Sequence, residues 1–169
     1  MRARGWTLIE ILVVVVIICI LATLVTLSVG LLGGDREVER ESERLTDAIA
    51  LLQEQSQLEG RDYGLRLEAT NYEFLRFDAF TQHWVPVEGD DALNPRTLPQ
   101  DLAFELVIEG RPILLRAADR PETKLPQIFA YGSGDVTPYR LTIARREGAS
   151  ITLIGAADGS IELERHGLD

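Results

Sequence analysis

Arg4-Gly5-Trp6-Thr7-Leu8-Ile9-Glu10 leads into an uncharged run from Ile11 to Leu32. That run is 22 residues long, or ~33 Å as a helix, which matches a hydrocarbon core of ~30 Å. Glu10 stands at the head of the run, where a carboxylate is costly. An acid in mid-bilayer costs roughly 2.5–3.5 kcal/mol, so such a residue calls for a partner or a function.

Three readings of this start compete. A cleaved secretory signal has an apolar core of about 7–15 residues and a small-residue cleavage site. Here the core is longer and no such site follows. A plain signal anchor accounts for Arg2, Arg4 and the run, but gives Glu10 no reason to exist. A short basic leader ending in glycine, cut ahead of the apolar helix, accounts for all of them.

Charge sets the direction. Arg2 and Arg4 precede the run, and Asp35 is the first charge after it. The excess of positive charge places the N-terminus in the cytoplasm and everything beyond about Gly34 outside the membrane. Val13 to Ile18 are poor helix formers in water, yet in lipid the backbone must satisfy its own hydrogen bonds. Cys19 is the sole cysteine, so no intrachain disulfide can form.

From Asp35 to about Leu58 the pattern is helical. Val38, Ser42, Leu45, Ile49, Leu52 and Ser56 recur in steps of four and three and fall within about 80° of one another, a stripe suited to docking on a sheet. The charges are sorted into rows: Asp35, Glu39 and Glu43; Arg36, Arg40 and Arg44; Glu37 and Glu41. Every i,i+4 pair within a row is like-charged, while several i,i+3 pairs are opposite. The rows read either as a solvated face or as contacts for complementary rows on neighbouring helices. Gly30, Gly33 and Gly34 weaken the helix at the membrane exit and allow a bend or a melted turn there.

After Gly60 the period becomes two. Candidate strands are 63–67, 72–76, His83–Val87, Leu102–Ile108, Ile113–Arg116, Gln127–Tyr131, Tyr139–Arg145, Ser150–Gly155 and Ser160–Arg165. Pro86 confines the third to an edge or a strand end. Gly89–Gln100 and Ala118–Lys124 read as loops, with a turn at Gly110-Arg111-Pro112. Eight or nine short strands imply two antiparallel sheets, with the amphipathic helix against one of them. The fold class is α+β: a long N-terminal helix, half transmembrane and half amphipathic, packed on a β-sandwich-like domain.

Gly5-Trp6-Thr7-Leu8-Ile9-Glu10 resembles the type IV prepilin and pseudopilin signature of glycine, phenylalanine and Thr-Leu-Ile-Glu, with Trp6 in place of the usual phenylalanine. The likeness extends further. Glu59-Gly60-Arg61-Asp62-Tyr63-Gly64-Leu65, Asn71-Tyr72-Glu73-Phe74, Trp84-Val85-Pro86 and Arg96-Thr97-Leu98-Pro99 are similar to ordered landmarks of the GspH/FimT family. So are Pro126-Gln127-Ile128-Phe129 and Gly132-Ser133-Gly134-Asp135-Val136-Thr137-Pro138-Tyr139. Together they resemble the H-type minor pseudopilins of the type II secretion system.

The resemblance implies a type IV pilin-like organisation: a leader over 1–5, a transmembrane and filament-core helix over 6–34, its amphipathic continuation over 35–60 and a periplasmic β domain over 61–169. It further implies cleavage between Gly5 and Trp6, N-methylation of Trp6 by a prepilin peptidase, and a single pass through the inner membrane. The partners it implies are other minor pseudopilins and the major pseudopilin, in a filament that helps export folded proteins through the outer-membrane secretin. Glu10 then lies four residues beyond the new α-amine and can face a neighbour's N-terminus. Two unit charges ~4 Å apart attract by roughly 4 kcal/mol at an effective dielectric of ~20, comparable to the cost of insertion. In an unassembled subunit Glu10 can instead snorkel to the headgroups.

Composition limits the alternatives. Residues 1–5 carry two of the 17 basic side chains; the remaining 15 face 27 acidic ones, a net charge of −12. With one lysine, Lys124, the chain lacks the clustered cations that nucleic acid requires. That weighs against the runner-up in the same family, a type IV pilus minor pilin of the FimT kind serving DNA uptake. A membrane-anchored periplasmic enzyme or binding protein leaves the leader unexplained. His83 and His166 have no metal-ligand spacing, Asp90-Asp91 and Asp158-Gly159 read as turns, and Trp84 reads as sheet packing. No cofactor, metal or catalytic residue is expected.

Overall fold

The computed structural model describes residues 8–116, 125–146 and 148–167, and their side chains other than those of 8–10 and 20–35. Helix α1 spans Leu8–Glu59, 52 residues, or about 78 Å at 1.5 Å per residue. Its backbone stays helical through Gly30, Gly33 and Gly34, without the melted turn those glycines allow. Residues Ile11 to Ile18 are exposed on all sides. Most of the apolar run lies outside the described side chains; among the described residues no helix is long and apolar enough to cross a membrane.

The far end of α1 is closed by chemistry specific to one residue. Gly60 has φ +60°, and the Arg61 amide donates to the Ser56 carbonyl at 3.2 Å, the reach-back of a Schellman cap with glycine at its left-handed position. Gly132 packs on this turn: a Cβ there would sit 2.6 Å from the Gly60 carbonyl carbon.

Ten strands follow: β1 Tyr63–Leu67, β2 Asn71–Asp78, β3 His83–Pro86, β4 Arg96–Thr97, β5 Leu102–Ile108, β6 Arg111–Ile113, β7 Ile128–Ala130, β8 Tyr139–Arg145, β9 Ser150–Gly155 and β10 Ile161–His166. They form two antiparallel sheets. The first runs β3-β2-β1-β7, with β4 pairing the start of β2; the second runs β10-β9-β8-β5-β6.

All six stripe residues of α1 are buried. The stripe does not lie on one sheet, as the period alone implied: α1 contacts β8 and β9 of the second sheet and β1 and β7 of the first. Glu41 and Ala48 are buried beside it, so the helix is covered over a wider arc. Ser56 donates to the Ala130 carbonyl at 3.1 Å, tying α1 to β7. Between the sheets, Tyr72 meets Phe74 and Phe104 edge-on at 5.7 and 5.9 Å.

Two stretches depart from expectation. The turn after β5 sits at Glu109-Gly110, where φ is +51° and +74°, because Ile108 pairs directly with Arg111. That is a two-residue hairpin with two left-handed positions, and a glutamate there gives no sign of it in sequence. The strand expected at Ile113–Arg116 therefore begins earlier, at Arg111, with Pro112 on the sheet edge. The loop Gly89–Gln100 contains a 3-10 turn, Asp91–Leu93, and β4. The loop expected at Ala118–Lys124 lies outside the described residues. Pro86 ends the edge strand β3.

Candidate assembly interface

Gly5 and Trp6 lie outside the described residues, as does the side chain of Glu10, whose backbone is the third residue of α1. The structure describes the part of α1 that carries the sorted charges, and it divides them.

Glu37, Glu39 and Glu41 are each met by an arginine from a different strand. Arg145 of β8 lies 2.8 Å from Glu37, and Arg165 of β10 lies 3.9 Å from Glu39. Arg96 of β4 grips Glu41 with two hydrogen bonds, Nε to Oε2 at 3.2 Å and Nη2 to Oε1 at 2.8 Å. That hydrogen bonding raises the Arg96 pKa above its ordinary value. At 100° per residue, Glu37 and Glu41 flank one side of the buried stripe and Glu39 the other. The β domain therefore holds these turns of α1 from both sides.

This departs from both readings of the rows at Glu37 and Glu41. Glu41 is buried and Glu37 half-exposed, and both are engaged by arginines of their own domain rather than left to a neighbouring helix. Their i,i+4 repulsion is offset by cations from β4 and β8. What stays exposed is Arg36, Arg40, Glu43, Arg44 and Asp47. Along this outward face runs a groove of about 470 Å³ that includes Arg40, Glu43, Asp47, Leu51 and Ala92.

The arginines of the grip were invisible as site residues. Arg96 had entered only as a landmark and Arg145 and Arg165 as strand ends. The available signal was the like-charged spacing of Glu37 and Glu41, which demands external cations. The two aspartate turns read as expected. Asp90 caps the 3-10 turn by accepting from the Ala92 amide at 2.9 Å, and Asp158 accepts from Ser160 in a tight turn. Among the described residues no group of His, Cys, Asp and Glu is placed to hold a metal ion.

Residues 1–26 match the family described as the prokaryotic N-terminal methylation motif. Over 167 residues the chain is 40% identical to type II secretion system protein H of Pseudomonas aeruginosa, covering 94% of each. The chain belongs to the type II secretion system protein H family. It is also 30% identical to the protein of that name from Aeromonas hydrophila, over 86% of this chain and 83% of that one.

Solved structures of lower identity agree in fold. The crystal structure of the minor pseudopilin EpsH from the type II secretion system of Vibrio cholerae superposes with TM-score 0.64 at 23% identity, covering 77% of this chain and 97% of that one. The solution structure of Escherichia coli GspH gives 0.57 at 18% identity, over 79% and 89%. The pilin-like α+β class of the family is thus the class of this chain.

Proposed function

We propose that this member of the H family is a structural subunit near the tip of the periplasmic pseudopilus, joining other minor pseudopilins to the major-pseudopilin shaft. In that role it helps drive folded proteins through the outer-membrane secretin. Residues 1–5 are the leader, 6–34 the membrane and filament-core helix, 35–60 its amphipathic continuation and 61–169 the periplasmic domain. A prepilin peptidase cuts between Gly5 and Trp6 and methylates Trp6. Glu10 then offsets its own insertion cost by pairing with a neighbour's α-amine. The chain works without a cofactor, as a structural protein and not an enzyme, and does not bind nucleic acid.

The observation that carries this reading is the single helix from Leu8 to Glu59, clamped to the β domain at Glu37, Glu39 and Glu41. Because one continuous helix joins the apolar start to the domain, an axial displacement of one is passed to the other. The outward face of α1 is left for neighbouring subunits.

The test is Glu10→Ala in cells carrying the whole secretion system. The variant is expected to remain in the inner membrane, fail to enter the pseudopilus and lose secretion. Normal assembly and secretion by this variant would sink the pairing. Mass spectrometry should find methylated Trp6 at the mature N-terminus; an intact Met1 removes the filament reading altogether.

A further inference from the structure

The chain has eleven aromatic side chains. Five are in the core (Tyr63, Tyr72, Phe74, Phe104 and Tyr139), and Trp6 lies outside the described residues. The other five, Phe77, Phe80, Trp84, Phe129 and Tyr131, keep contact with solvent. They gather on the outer face of the first sheet and at one end of it.

Register explains the gathering. Tyr63, Leu65 and Phe74 point into the core, so alternation sends Gly64, Phe77 and their partners outward. Phe77 pairs with Trp84 and Gly64 with Phe129. The rings form a chain: Phe77 to Trp84 at 5.4 Å, Trp84 to Phe129 at 5.6 Å, Phe129 stacked on Tyr131 at 6.0 Å. The place of a Gly64 side chain is taken by the Pro126 ring, which a Cβ there would meet at 2.5 Å, so Pro126 lies over β1 beside Phe129.

Phe80 extends the strip at the β2–β3 tip, 98% exposed. Its position is held by the turn. The Asp78 carboxylate accepts from the amides of Phe80 and Thr81 at 2.8 and 3.3 Å. A cleft of about 280 Å³ separates Phe77–Phe80 from Gly60–Asp62. The cleft is lined by Asp62 and Asp78 and also by Arg61 and Arg76, with Arg61 3.6 Å from Glu59; Asp135 stands at the other end of the strip, where its carbonyl accepts from the Tyr131 amide at 2.9 Å. Arg76 pairs in register with Tyr63, so the cleft takes an apolar group between mixed charges, and the carboxylates unmatched by a cation among the described residues are those nearer the rings, Asp62 and Asp135.

We propose that this strip docks a protein segment in which lysine or arginine flanks an apolar side chain. The apolar group enters the cleft beside Phe80, while the cation lies over Trp84 or Phe129 and is paired from the rim by Asp62 or Asp135. Aromatic anchors fixed by rigid turns are what interfaces use, and an indole face beside carboxylates favours a cation. The strip is separate from the outward face of α1 and depends on the filament reading only for the compartment where the segment is met.

The test uses the full chain in cells with the complete secretion system, with p-benzoylphenylalanine replacing Phe80 or, as a control, Glu105 on the outer face of the second sheet. Illumination is expected to give at least tenfold more adduct from position 80. The attachment point should map within three residues of a lysine or arginine in another protein. Asp135→Lys and, separately, Trp84→Leu are expected to lower that yield at least fivefold while the thermal midpoint of the purified protein holds. Adducts mapping to lipid, to this chain itself or to an acidic segment overturn the proposal, as does a yield no higher than at position 105. Secretion that persists without adducts overturns the docking and leaves the filament reading standing.

Discussion

Arg96 and Glu41, 55 residues apart in sequence, form a two-point guanidinium–carboxylate contact, with the Glu41 side chain only 8% exposed and that of Arg96 35%. The two partners are therefore unequal. Removing Arg96 leaves a buried carboxylate without its fork, whereas removing Glu41 leaves a guanidinium that water already reaches. Arg96→Ala is expected to destabilise by about 2–3 kcal/mol, below the range for fully buried pairs because Arg96 is partly solvated. Glu41→Ala should cost less, and Arg96→Lys should fall between, since an ammonium cannot reproduce both bonds. Urea unfolding of the three variants gives the order.

The Tyr139 ring lies against Gly155. A Cβ on Gly155 would stand 2.2 Å from the ring, and the ring is walled in by the core. Gly155→Ala is expected to cost about 2–3 kcal/mol, the overpacking range. The buried Tyr139 hydroxyl has no hydrogen-bond partner among the described residues, so Tyr139→Phe should leave stability within about 0.5 kcal/mol or raise it. Thermal unfolding separates the two outcomes.

Gly60 needs its left-handed φ, not space, because nothing lies within 4 Å of the Cβ it lacks. Gly60→Ala is expected to cost about 1 kcal/mol, and Gly60→Asn less, since asparagine tolerates this region better. An equal loss for both, in chemical denaturation, would mean that the cap is not the cause.

Alkaline pH should loosen the domain. Burial, then a hydrogen bond with Glu59, pushes the Tyr63 phenol up to about 12 from 10.0. A folded pKa above the unfolded one means that the fold favours the neutral phenol. Its contribution is complete below pH 10 and is lost as pH rises toward 12. The unfolding midpoint is expected to fall across that window. Tyr63→Phe should fall less steeply, keeping the part due to Tyr72 and Tyr139, which burial also raises.

The tip that presents Phe80 should respond to acid. Backbone donation from Phe80 and then Thr81 holds the Asp78 carboxyl below its usual 3.8. The turn's stabilisation is therefore present above that pH and lost as pH falls through the lowered value. Protection of the Phe80 and Thr81 amides, relative to the intrinsic rate at each pH, should be present at neutral pH, fall as Asp78 protonates and be lost in Asp78→Ala throughout. Unchanged protection in Asp78→Ala would show that the carboxylate does not hold the tip.

Much of this was legible because the relevant signals are local. β8 and β9 fall where alternation put them, and the six stripe residues of α1 are buried as their spacing required. Legibility ended where a residue's role depends on something distant. Glu41 is charged yet buried. Arg66 of β1 is 6% exposed and paired with Glu73 and Glu68, and nothing in its strand pattern marks this outward-facing arginine as buried. β4 is two residues long and exists only because it lies along the edge of β2. Trp84 packs as its strand position implies, but within a strip that stays open to solvent.

The sequence by itself determined the apolar start with Glu10 at its head, the helical stripe, the change of period after Gly60 and the family. Each is a pattern among residues a few positions apart, which helix and strand geometry convert directly into a face. Only the tertiary structure decided that α1 bridges two sheets, that three arginines claim Glu37, Glu39 and Glu41, and that five aromatics share one outer surface. Such partnerships join segments tens of residues apart. Periodicity says which side chains share a face but not what covers it; that is settled by sheet order and register.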